Sequence, residues 1–146
     1  MLQTNVDSLK INYMDKGSGE LVVLLHGWGS NIELFENMSE LLARKYHVVA
    51  PDMPGFGLSD EPKEPWRVDD YVDFVLKFLE PFAPKKVTFL GHSFGGRVII
   101  KMASRDLPFE IERMPIPSVA GDADIYMPPT HSISPPVISM FPFPAL

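Results

Sequence analysis

The chain has no cysteine, and that absence removes disulfides, thiolate-bound metals and a thiol nucleophile together. Any chemistry falls to serine, histidine and carboxylates. Positive charge is also scarce. Thirteen Lys and Arg stand against nineteen Asp and Glu, for a formal net charge of −6, so the chain has no general attraction to nucleic acid or to an anionic membrane. No apolar run is long enough to cross a bilayer, and the opening MLQTNVDSLK has no basic segment followed by an apolar one. Membrane insertion is therefore not expected, and the cytoplasm is the expected location. Basic residues run out altogether after Arg113.

Proline has the opposite distribution, with eight of its fifteen occurrences in the last thirty-two residues. A length of 146 residues with 45% hydrophobic composition suits one domain. The composition change divides it into a folded body, 1–114, and a proline-rich tail, 115–146. Prolines remove backbone donors and disfavour helix at the residue before them, and they interrupt every candidate run in the tail. That segment is expected to be poorly ordered or non-native, although it keeps apolar residues such as Ile125, Val137 and Phe141.

Within the body, Leu2 to Val6 and Leu9 to Asp15 read as an antiparallel entry hairpin. Leu21 to Leu25 is a continuous apolar run, the pattern of a strand buried on both faces of a parallel sheet. Asn31 is placed to cap a helix carrying Leu34, Phe35, Met38, Leu41 and Leu42 as one apolar stripe, with Glu33, Glu36 and Glu40 outside it. A strand over Tyr46 to Ala50, a Pro/Gly-rich loop over 51–66 and a second amphipathic helix from Val68 to Leu79 follow. The strand Val87 to Leu90 leads directly into a third helix. Strands alternating with helices imply a doubly wound, mostly parallel α/β sheet.

Gly91-His92-Ser93-Phe94-Gly95-Gly96 lies at the last strand-to-helix junction and matches Gly-x-Ser-x-Gly. Small residues two before and two after the serine permit a sharp, strained turn that projects the hydroxyl at the sheet edge. The backbone N–H of Phe94 would sit at the helix N-terminus, where unpaired donors favour a developing oxyanion. An ordinary tight turn packed by glycines is the competing reading.

Two further motifs, HGWGSN at 26–31 and PDMPGFGLSD at 51–60, stand in the order found in the α/β-hydrolase superfamily, which the chain resembles over about residues 9–114. The resemblance implies an α/β-hydrolase sheet truncated after the nucleophile helix, with Ser93 as nucleophile. The oxyanion hole it implies is formed by the N–H groups of Trp28 and Phe94. His26 then shapes the loop, Asp52 is a turn carboxylate, and Trp28, Phe94 and Met53 are candidates to line the acyl pocket. A serine at 93 belongs to the serine-nucleophile branch and not to the aspartate-nucleophile dehalogenases and epoxide hydrolases. The implied activity is a carboxylesterase-like serine hydrolase acting on a small-molecule acyl substrate, with no metal and no organic cofactor.

Only 53 residues follow Ser93, fewer than the family uses for its remaining strands, acid and histidine. Arg113-Met114 stands where the next strand is due, and Pro115 and Pro117 interrupt it. Gly121-Asp122-Ala123-Asp124 resembles the family's acid loop, which makes Asp124 the acid candidate. His131, the one histidine after Ser93, is then the base candidate, and solvated loop residues are the alternative for both. Either the chain is a minimal form with shortened acid and histidine loops, or it is truncated, frameshifted or fused after Arg113. In the second case it is a catalytically incomplete hydrolase-like fragment, prone to self-association through an open sheet edge. Other classes fit less well. Ile32 replaces the third glycine of a dinucleotide fingerprint, and GHSFGGR lacks the Lys-Ser/Thr pair of a phosphate loop.

Overall fold

The computed structural model describes residues 1–115 and, further on, the backbone of two short strands at 123–126 and 139–142. Six strands form the main sheet: β1 (Leu2–Val6), β2 (Leu9–Lys16), β3 (Leu21–Leu25), β4 (His47–Pro51), β5 (Lys86–Gly91) and β6 (Glu110–Arg113), in spatial order β1-β2-β4-β3-β5-β6. The entry hairpin turns at Asp7, whose φ of 53° is left-handed, with Val6 opposite Leu9. β2 pairs antiparallel with β4, and the other pairs of this sheet, β3 with β4, β3 with β5 and β5 with β6, are parallel.

β3 lies between β4 and β5, which is why all five of its residues are apolar and buried. Its side chains alternate between faces with the period of two that a strand imposes. Leu21, Val23 and Leu25 join the core under α2 (Val68–Leu79) and α3 (Phe94–Ala103), whereas Val22 and Leu24 join the core under α1 (Glu36–Leu42). α2 buries Tyr71, Val72, Phe74, Val75, Phe78 and Leu79 and keeps Asp69 and Asp70 in its first turn, where acidic groups suit the helix dipole. No helix among the described residues is long and apolar enough to cross a membrane.

Two expectations need correction. The apolar stripe of the first helix is not the one its spacing predicts. Residues Ile32–Phe35 form a 3-10 turn before α1 begins, with Asn31 accepting a hydrogen bond from the Glu33 N–H at 2.8 Å. With three residues per turn, Ile32 and Phe35 eclipse and are buried, and Leu34 rotates outward to 52% exposure. Secondly, the strand due at Arg113-Met114 comes earlier, at Glu110–Arg113. β6 pairs with β5 and ends at Arg113, two residues ahead of Pro115, so proline bounds the strand instead of interrupting it. In the proline-rich segment the described backbone comprises two strands. β7 (Ala123–Tyr126) and β8 (Ser139–Pro142) pair antiparallel, with Asp124 opposite Phe141. β7 lies wholly between prolines, and β8 begins after Pro136 and closes on Pro142.

Candidate active site

Ser93 occupies the single residue between His92, which follows β5, and the first residue of α3. Its backbone sits at φ 55°, ψ −113°, a left-handed conformation that costs an L-residue on the order of 1–3 kcal/mol and persists only where surroundings enforce it. Hydrogen bonds on both sides do so. The His92 N–H donates to Leu25 O at 3.0 Å, tying the turn to the end of β3, while the N–H groups of Gly95 and Gly96 donate to His92 O and Ser93 O. A Cβ on Gly95 would collide with Leu25 O and lie 2.8 Å from His26 O. That glycine lets the helix start directly against β3. Ser93 is exposed at the C-terminal edge of the sheet.

The loop after β3 reaches the same place. A Cβ on Gly27 would lie 3.2 Å from both Ser93 Cβ and His92 O, so the absence of a side chain there lets the Gly27-Trp28 backbone run alongside the serine. Neither the Trp28 N–H nor the Phe94 N–H has an acceptor among the described residues. Two backbone donors without an acceptor among the described residues therefore lie on the two segments flanking Ser93.

His26 holds this loop in place. Buried to 1% exposure, its Nε2 accepts from the Met53 N–H at 2.9 Å, and its Nδ1 lies 2.7 Å from Gly27 O. The carbonyl partner places the proton on Nδ1. Burial pushes the pKa below its ordinary value, against smaller raising effects of the Gly27 carbonyl and Asp52. A neutral ring with both nitrogens engaged is not free to act as a base. His47 pairs with Asp15 at 2.7 Å at the opposite, N-terminal end of the parallel strands.

Asp52 anchors three segments. Its Oδ1 accepts from the Ile32 N–H at 2.9 Å, and its Oδ2 accepts from the Leu58 N–H at 2.9 Å and from the side-chain amide of Asn12 at 3.0 Å. The Ser59 hydroxyl donates to Asp52 O and accepts from the Asn12 N–H. Asn12 and Ser59 were not singled out in the sequence. Asn12 carried no signal, because as the polar neighbour of Ile11 and Tyr13 it fits the alternation of an ordinary half-buried strand.

The aromatic residues form a chain of edge-to-face contacts along this rim. Trp28 lies 4.8 Å from Phe56 and 5.3 Å from Phe94, and Phe94 lies 5.2 Å from Tyr71, whose hydroxyl donates to Pro54 O. Trp28 is 66% exposed. Met53, a candidate for the acyl pocket, has no exposed surface and packs in the core, so it does not line the rim.

Ser93, Trp28 and Phe94 are thus brought together. Asp124 is described only as a backbone position in β7, and His131 lies outside the described residues.

The profile of the alpha/beta hydrolase fold matches residues 20–133. The 2-(acetamidomethylene)succinate hydrolase of Mesorhizobium japonicum is 30% identical over 103 residues, which is 70% of this chain and 37% of that protein. The soluble epoxide hydrolase of a Corynebacterium species is 31% identical over 126 residues, 83% of this chain and 44% of that protein. Among solved structures, a meta-cleavage product hydrolase from Pseudomonas fluorescens matches with a TM-score of 0.72 at 30% identity, covering 78% of this chain and 43% of that one. The chain therefore spans less than half the length of these relatives.

Proposed function

Because the chain belongs to the α/β-hydrolase fold family, we propose that it carries the nucleophile half of a serine hydrolase, acting on an ester or related acyl substrate through an acyl-enzyme. The observation that carries this reading is the left-handed Ser93, held exposed between two unpaired backbone donors. In the proposed reaction the Ser93 hydroxyl attacks the acyl carbon and passes its proton to a base. The carbonyl oxygen becomes anionic against the Trp28 and Phe94 N–H groups, and the leaving group departs with a proton. Water then hydrolyses the serine ester by the same route. His131 is the proposed base and Asp124 the acid that orients it. An extended stretch of seven residues spans at most roughly 25 Å, so their close spacing permits both to converge on Ser93.

The epoxide hydrolase relative suggests a second reaction to set against acyl transfer. Elbow chemistry favours the acyl route. A serine oxygen that opened an epoxide would leave an alkyl ether, which water does not cleave, whereas attack on an acyl carbon leaves an ester that water can hydrolyse. The rival reading is a catalytically incomplete hydrolase-like fragment without turnover.

Hydrolysis of a short p-nitrophenyl ester by wild type, Ser93→Ala, His131→Ala and Asp124→Asn separates these readings. Turnover abolished at Ser93 and lowered at both other positions establishes the triad. Activity indifferent to His131 and Asp124 but lost with Ser93 leaves a nucleophile without its base. Turnover unchanged in Ser93→Ala overturns the proposal.

A further inference from the structure

Away from the serine, an open groove of about 440 Å³ runs along the α2–α3 pair, lined by Arg67, Val68, Asp69, Arg97, Ile100 and Lys101. It contains three cations and one acid. The acid is already engaged from outside the lining, since Asp69 Oδ1 accepts from Arg105 Nη2 at 3.0 Å while Nη1 of the same guanidinium binds Asp73. Arg67, Arg97 and Lys101 have no carboxylate at ion-pair distance among the described residues, and all three are exposed. Arg97 and Lys101 are four residues apart and so share one face of α3, an arrangement that like charges disfavour unless something neutralises them. Between them lies Ile100, 43% exposed, with half-buried Val68 also lining the groove. In a chain of net charge −6, a concentration of uncompensated cations around an aliphatic strip is a local reversal of the whole.

We propose that this groove binds a small organic phosphate monoester, with the phosphate among Arg67, Arg97 and Lys101 and its apolar part on Ile100 and Val68. Two guanidinium forks and an ammonium match a dianion with several acceptor oxygens better than a single carboxylate. The groove volume suits a small molecule. Free ligand is favoured over a phospholipid surface by charge. A small dianion within a Debye length of about 8 Å meets chiefly the groove, whereas a membrane meets the whole acidic molecule. The site uses none of the residues proposed for acyl transfer.

The test is an amide NMR titration of the full chain with 1-naphthyl phosphate. Parallel arms contain 1-naphthol, inorganic phosphate and phosphatidylserine vesicles. The expected result is saturable shifts at residues 67–69 and 97–101, competition by inorganic phosphate, weakening at high salt, and no equivalent response to 1-naphthol. Affinity should fall about tenfold or more in Arg97→Gln/Lys101→Gln and hold in Lys45→Gln, with unchanged thermal melts confirming the fold. Arg97→Lys, which keeps the charge and loses the fork, should fall by less than the double variant. Absence of shifts at millimolar ligand, affinity indifferent to the double variant, or binding to vesicles but not to free phosphate would each overturn the proposal.

Discussion

Replacing Asp52 by alanine removes one buried carboxylate and leaves three donors without a partner: the Ile32 N–H, the Leu58 N–H and the side-chain amide of Asn12. A buried donor left unpaired costs about 1–3 kcal/mol. The Leu58 bond is only part-buried, so water can replace that partner at lower cost. The expected loss is therefore about 3–5 kcal/mol, a large share of the roughly 5–15 kcal/mol that holds a domain together. Asp52→Asn keeps the shape and one carbonyl oxygen but turns an amide N–H₂ toward other donors, and should lose about half as much. Urea unfolding followed by circular dichroism measures both changes. Because Asp52 ties the loop bearing Trp28 to the loop at 51–60, labelling of Ser93 by a fluorophosphonate should slow in the Asn variant even where it remains folded. A loss below about 1 kcal/mol in Asp52→Ala would refute this account of the network.

Gly95→Ala forces a Cβ into the backbone of Leu25 and His26, and should destabilise the fold by about 1–3 kcal/mol while displacing Phe94, which differential scanning calorimetry and probe labelling would detect together. The lowered pKa of His26 means that the unfolded state binds protons more readily than the folded one. Its contribution to stability is therefore complete above the ordinary value of 6.5 and declines as pH falls through and below it. Urea midpoints across that range should follow this slope, and His26→Gln should flatten it. β6 ends the spatial order of the main sheet, so we expect self-association through its outer edge, seen as a concentration-dependent sedimentation coefficient; a single monomer species at tens of micromolar would exclude it.

Much of the fold could be read from sequence because burial in this sheet is simple. The run Leu21 to Leu25 has no polar position, which only a strand covered on both faces tolerates, and the α2 stripe from Tyr71 to Leu79 follows helical spacing closely. The first helix misled because a 3-10 start shifts the phase: period analysis assumes 3.6 residues per turn, and Leu34 pays for the difference by facing solvent. β6 was not legible because Glu110-Ile111-Glu112-Arg113 has a single apolar residue and stands just before prolines at which a strand cannot continue. In the site, Ser93 and its glycines were legible from a local motif. The tie between Asn12 and Asp52 was not, since forty positions separate them and only the pairing of β2 with β4 brings them together. Met53 was not legible for a related reason: its motif lies at the rim and its backbone N–H meets His26, but its side chain is fully buried in the core.

The most direct measurement of the central claim is the site of covalent labelling by a fluorophosphonate, read by peptide mass spectrometry on the full chain. The account predicts one adduct, on Ser93, that disappears in Ser93→Ala and forms more slowly in Gly95→Ala. An adduct on another serine, or none on Ser93 in a chain that unfolds cooperatively, would contradict it.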